Sequence, residues 1–126
     1  MRHQTKKHTL GKAQDQRKAL LRSLATELFT HGEIKTTMAR AKALQPYAEN
    51  VITMAKKGDL NSRRLAGKYI YDKEIGQLID TTTGEVFDAP QEGKKLAKQT
   101  VLRKLFSVIG VKYSSRQGGY TRIFRL

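Results

Sequence analysis

RKALLRSLATELFTHGEIKTTMARAKAL, residues 17–44, encodes a helix, a stop, a brief extended segment and the start of a second helix. Leu21, Leu24, Ala25 and Leu28 recur at helical spacing, with Leu20 and Phe29 widening the stripe, so one face is built for burial. Arg17, Lys18, Arg22 and Glu27 take the other sides. Gly32 follows His31 and can adopt the left-handed conformation that closes a helix, while a histidine there suits the negative end of the dipole. Glu33 to Thr37 then alternates, with Ile34 and Thr36 on one face, which predicts a short strand. Thr37 offers a hydroxyl to cap the next helix.

Working outward, a second helix over about 38–57 aligns Ala41, Leu44, Ala48, Val51, Ile52 and Ala55, and Pro46 predicts a kink or break near Leu44 and Gln45. Gly58 ends it and Asp59 can cap a third helix over roughly 60–71. Ile75, Leu78 and Ile79 extend that helix by another segment, although Gly76 weakens the extension by about 1 kcal/mol relative to alanine. Residues 80–93, DTTTGEVFDAPQEG, break the pattern and read as an acidic surface insertion reaching to about residue 95, with a small hairpin around Thr83 and Gly84. A fourth helix is expected over about 94–109, aligning Ala97, Val101, Leu105 and Val108, with Gly110 as its stop. A polar loop follows, and Tyr120 to Leu126 alternates as a final strand. An isolated strand leaves its backbone unpaired, so this one is expected to pair with Glu33–Thr37. The fold class is therefore α+β: a small mixed sheet covered by about four helices, residues 14–126 forming one domain behind a basic arm, residues 1–13.

The chain of 126 residues carries 25 lysines and arginines against 11 acids, a formal charge of +14. Self-repulsion of that size points to a polyanionic partner. The charge is +4 over residues 1–14, +1 over 15–31, +3 over 32–58, zero over 59–80, −3 over 81–93 and +9 over 94–126. Two basic ends thus flank a neutral middle and an acidic insert. No apolar run approaches the roughly 18 residues of a membrane span, and the amino terminus lacks a secretory signal's apolar segment, so a soluble intracellular chain is expected. Without cysteine there is no disulfide, thiolate nucleophile or cysteine-based zinc site.

Candidate chemistry is sparse. The histidines stand at 3, 8 and 31 with no clustered carboxylates. His3 and His8 lie in a basic arm that repels cations, so they read as solvated or RNA-facing rather than metal-binding. Asp72 and Glu74, two apart, point to different faces of a helix and read as solvated charge rather than an acid–base pair. Walker loops, dinucleotide fingerprints and a GxxG of the KH type are absent. No catalysis, cofactor, metal or small-molecule substrate is expected. The signal lies in cations: Arg2, Lys6, Lys7 and Lys12 in the arm with its histidines; Arg17 and Arg22 on the first helix; Lys35, Thr36, Thr37, Arg40 and Lys42 at the strand-to-helix junction; Arg63 and Arg64 on the third helix; and Arg116, Tyr120 and Arg122 around Gly118 and Gly119. The glycines read either as a turn tolerant of positive φ or as a place where backbone approaches nucleic acid, and the two readings are compatible.

From MRH at residues 1–3, through HGEIKTTMARAKAL at 31–44, to GGYTRIFRL at 118–126, the sequence resembles the bacterial-type L-seventeen family of large-subunit ribosomal proteins. DQRKALLRSLATELFTHGEIKTT and YIYDK are most similar to its cyanobacterial and plastid branch. The resemblance implies an α/β domain bound to large-subunit rRNA near the exit-tunnel side, among neighbouring ribosomal proteins, without catalysis, in a bacterial or organellar ribosome, plastid before mitochondrion. It carries RNA contact onto Arg2, His3, Lys35 to Thr37, Arg40, Arg116 and Gly118 to Arg122. Two departures stand out. The segment from about Asp80 to Lys95 is longer than the family pattern and too acidic for RNA, so it faces solvent or a neighbouring protein. Family members also continue past the GGYTRI strand, so either the sequence stops short or the sheet is one strand smaller. The rival is a free-standing nucleoid-type or RNA-chaperone protein, which composition alone leaves open.

Overall fold

The computed structural model describes residues 10–80, 82–83 and 85–126. Among these, helices α1 (Gln14–His31), α2 (Met38–Lys57) and α3 (Leu60–Ala66) precede strands β1 (Glu74–Asp80), β2 (Val86–Phe87) and β3 (Leu96–Thr100). A last helix, α4 (Val101–Lys104), widens into a π-helical turn, Leu105–Ile109, and closes through Gly110–Lys112. The class is α+β, as expected.

The punctuation of the first half follows the sequence. Gly32 takes φ 84° and its N–H donates to the Leu28 carbonyl, closing α1. The Thr37 hydroxyl accepts from the Arg40 amide, and the Asp59 carboxylate from Ser62, each opening a helix. Those bonds hold the Asp59 carboxyl below its ordinary range. Ala25 and Phe29 of α1 are buried against Leu44, Ala48, Val51, Ile52 and Ala55 of α2, with Ala66, Ile70, Val101 and Leu105 completing the core. Helix α2 runs unbroken through Pro46, so the expected break does not occur. The apolar face on both sides of the proline is buried, and tertiary packing outweighs the lost backbone bond.

The sheet lies elsewhere than the alternation indicated. Neither 33–37 nor 120–126 forms a strand; the sheet is antiparallel in the order β2-β1-β3, within the stretch read as helix extension and insertion. The cause of the misreading is a bulge: the β1–β3 register shifts between Glu74 and Leu78, and Gly76 there takes φ 77°. One extra residue breaks the two-residue period, so Ile75, Leu78 and Ile79 fall at spacings that mimic a helix. Residues 96–100, expected as the opening turns of the fourth helix, form β3 instead. The small hairpin is present, with Leu78 opposite Phe87 and Ile79 opposite Val86. Asp80 nucleates its turn by accepting from the Thr82 amide at 2.8 Å and from Thr83, which also holds its carboxyl below the ordinary range. That stabilisation is present above the carboxylate's unfolded pKa and is lost as pH falls through the folded one.

Helix α3 ends at Ala66 because the next residues are held from outside. The Arg22 guanidinium donates to the carbonyls of Gly67 (2.9 Å) and Ile70 (3.2 Å) and covers the Tyr71 ring at 4.3 Å. The buried Thr26 hydroxyl accepts from the Tyr71 amide, and Tyr47 of α2 donates to the Tyr69 carbonyl at 2.6 Å. This crossover also seats the last helix. Asp72, read from sequence as solvated charge, accepts from the Leu102 amide, and the Lys73 carbonyl accepts from Val101. Lys104 donates to the Thr30 carbonyl in the last turn of α1, where a cation suits the dipole.

Gly110, expected as a helix stop, lies inside the helical turn at φ −61° and ψ −38°. It is glycine because α2 leaves no room: a Cβ there would sit 2.7 Å from the Ala55 carbonyl oxygen. Gly110→Ala is expected to lower unfolding free energy by about 1–3 kcal/mol, the usual cost of overpacking. Urea denaturation checks this, and an unchanged midpoint would contradict the close approach.

Candidate nucleic-acid interface

The final residues need no strand partner because α2 supplies one through its side chains. Gln45, Glu49 and Lys56 recur at helical spacing along a flank of α2, roughly a quarter-turn from its buried face. The Glu49 carboxylate accepts from the Tyr120 amide at 2.8 Å, and the Gln45 amide donates to the Thr121 carbonyl at 3.2 Å. Lys56 donates to the Tyr120 hydroxyl at 2.8 Å and to the Arg116 carbonyl. Tyr113 and Tyr120 pack with ring centroids 5.6 Å apart, and the Arg116 guanidinium lies over Tyr113. Gly118 and Gly119, at φ 81° and 64°, turn the chain so that Tyr120 reaches Glu49, which is the turn requirement glycine answers.

Arg116 is therefore fixed near the end of α2 and Thr121 nearer its start, so the tail runs antiparallel to the helix. Lys42 lies one turn before Gln45 on the same flank, in the direction Arg122 continues. Lys35, Thr36 and Thr37 form the link into α2, with Lys35 and Lys42 exposed. Thr37 is engaged as the helix cap, and Arg40 falls on the opposite flank of α2. The basic tail thus lies along α2 in the direction of the junction and is not paired with it as a strand.

The remaining sequence candidates are dispersed. Arg2, His3, Lys6, Lys7 and His8 lie outside the described residues; Lys12 is exposed just before α1 and Arg17 half-buried on it. Arg22 is committed to the crossover carbonyls and so serves the fold. Arg63 and Arg64 stand on α3, Arg63 over the Phe106 ring. In the sheet and its acidic insert, Glu85 pairs with Lys94 at 3.1 Å and Glu74 of β1 with Lys98 of β3 at 3.8 Å. Sequence reasoning missed Gln45, Glu49 and Lys56. Their shared spacing was the available signal, hidden because it lies beside a stronger apolar stripe. Among the described residues no cluster of metal-ligating side chains occurs, and no helix is long and apolar enough to cross a membrane.

The model of the family described as ribosomal protein L17 matches residues 20–126, which span the greater part of α1, all of α2, the sheet and the docked tail. The chain belongs to the ribosomal protein L17 family. Relatives named large ribosomal subunit protein bL17 agree along most of its length. One from Staphylococcus carnosus is 47% identical over 116 residues, covering 92% of this chain and 82% of the relative. One from Lactiplantibacillus plantarum is 43% identical over the same share of each. One from Staphylococcus epidermidis is 46% identical over 117 residues. Family membership thus embraces the tail and its α2 flank.

Two tyrosines of this architecture titrate in opposite directions. The Lys56 ammonium, bonded to Tyr120, lowers that phenol below its ordinary value, with the Gly118 amide adding to the effect. Burial pushes Tyr47 up to about 12. A depressed phenol gives stabilisation that grows as pH rises through its folded pKa, whereas Tyr47 favours the fold below 10 and loses that effect as pH rises toward about 12. Ultraviolet titration of the phenolates should resolve one early and one late tyrosine. Lys56→Met should return the early one to the ordinary range, and an unaltered early phase would contradict the Lys56–Tyr120 bond.

Proposed function

We propose that this chain is a structural, non-catalytic component of the large ribosomal subunit that binds large-subunit rRNA near the exit-tunnel side, beside neighbouring ribosomal proteins. The observation that carries the reading is the tail held antiparallel on α2, which sets Arg116 and Arg122 in fixed relation to Lys35 and Lys42 before any RNA arrives. Family membership and the bL17 names of the relatives support it. The interface comprises that surface together with the arm cations Arg2, Lys6, Lys7 and Lys12, with His3 and His8 facing RNA. Arg40, Arg63, Arg64 and Arg17 join from adjoining helices. At Gly118 and Gly119 the space a side chain would fill is open, with only the adjoining residues of the chain within 4 Å among those described, so their backbone is accessible to a phosphate. Residues 1–13 act as the RNA-binding arm of a single domain, and the sheet with its acidic insert faces away from RNA. Cations neutralise phosphates and release counterions, while the preformed domain fixes register.

Deleting residues 1–12 should reduce the magnitude of the slope of log affinity on log salt by about 3, at roughly 0.7 per phosphate contact. Filter binding to deproteinised large-subunit rRNA measures this, and an unchanged slope removes the arm from the interface. In gradients at moderate salt the chain should migrate with large subunits; nuclease-sensitive migration with chromosomal DNA would instead support a free-standing DNA binder.

A further inference from the structure

An open cleft of about 530 Å³ lies on a part of the molecule that neither the tail nor the junction occupies. That volume falls within the ordinary range of small-ligand sites, roughly 300–1,000 Å³. One wall is a polar stripe of α1, Asp15, Lys18 and Arg22, which share a face by helical spacing. The other wall is the crossover, Lys68, Tyr69 and Tyr71. The crossover is rigid for the reasons given above: Arg22, Thr26 and Tyr47 hold its backbone. Arg22 and Tyr71 already form a stack, guanidinium to ring centroid 4.3 Å. Tyr47 uses its hydroxyl on the Tyr69 carbonyl and closes against the Tyr69 ring edge-on at 5.4 Å. Asp15, Lys18 and Lys68 are exposed and form no ion pair among the described residues.

Preformed aromatic surface, a guanidinium layer, two exposed ammonium groups and one carboxylate match the chemistry of a single nucleotide. Unpaired RNA bases are captured by stacking on aromatic rings and arginine planes, with polar groups reading their edges. We infer that this cleft takes one unpaired nucleobase of the bound RNA. It extends the Arg22–Tyr71 stack, with Lys18 and Lys68 on the flanking phosphates and Asp15 accepting from a base amine. The inference rests on the RNA-binding reading and adds to it a second kind of contact: the α2 flank takes backbone charge, whereas the cleft takes a base. Asp15 as acceptor favours adenine, cytosine or guanine, each of which presents an exocyclic amine.

The test uses the full chain on deproteinised large-subunit rRNA, irradiated at 254 nm and digested with trypsin. The nucleotide adduct is expected on the peptide YIYDK, residues 69–73. Tyr71→Leu should weaken rRNA binding by about 5- to 150-fold, the span given by one base stacked on an aromatic ring, and Tyr71→Phe should restore it. Because no charge is removed, the salt slope should stay unchanged. Lys18→Gln with Lys68→Gln, which leaves the crossover intact, should lower the magnitude of the slope and keep the adduct, now on the longer tryptic peptide 65–73 because the cut after residue 68 is lost. Binding with adducts on other peptides only, and full affinity for Tyr71→Leu, would overturn the cleft while leaving RNA binding in place. Absence of rRNA binding by the wild-type chain would overturn both. Tight binding of free GMP, CMP or AMP to the chain alone would overturn a strand-linked base in favour of a mononucleotide site.

Discussion

At Gly110 the last helix comes so near to α2 that a single added methyl would meet the Ala55 carbonyl at 2.7 Å. Much of the structure depends on that approach. It lets Val101 and Leu105 join the α2 core, and it places Tyr113, three residues on, where its ring meets Tyr120. Helix α2 is thereby used twice. Its apolar face, Leu44 to Ala55, closes the core, and the adjoining flank of Gln45, Glu49 and Lys56 gives partners to a tail that has no strand of its own. Both uses follow from the helical period, which sets residues three and four apart on one line.

The same economy of side chains separates fold from function among the cations. Arg22 and Lys104 look like surface charge in the sequence, yet both donate to backbone carbonyls and hold segments together. Burial accordingly lowers the Lys104 ammonium from its ordinary value. Lys94 and Lys98 are matched by acids of the sheet. Once these are set aside, the tail and the start of α2 with the link before it still carry Lys35, Lys42, Arg116 and Arg122, while other cations, such as Arg63 and Arg64, stand on separate helices. A preformed surface of this kind positions RNA backbone rather than reading sequence.

What was legible in the sequence was what local chemistry decides. Gly32, Thr37, Gly58 and Asp59 punctuate helices through their own conformation or side chains, and the structure places helix ends at each. The apolar stripe of α2 is buried from Leu44 to Ala55, and that of α1 packs on the same core, with Ala25 and Phe29 buried and Leu21, Leu24 and Leu28 half-buried. What failed depended on partners distant in the chain. The Gly76 bulge disguised β1 as helix, and the alternation at 120–126 arose from a tail laid on a helix, with Ile123 half-buried and Phe124 exposed. Gly110 could be read as a stop because nothing local announces Ala55. The candidate cations were found by charge alone, which cannot tell Arg22, held by two carbonyls, from Arg122, exposed beside the Phe124 ring.

The central claim is that a tail pinned to α2 presents organised charge to rRNA, and one acid separates this from attraction by net charge. Glu49→Ala removes a negative group from a strongly basic chain, so long-range electrostatics alone would tighten binding. It also removes the acceptor of the Tyr120 amide and loosens the tail between its Gln45 and Lys56 contacts. Measured at fixed salt on deproteinised large-subunit rRNA, the affinity of Glu49→Ala should fall below that of the unaltered chain. Equal or tighter binding would contradict the account.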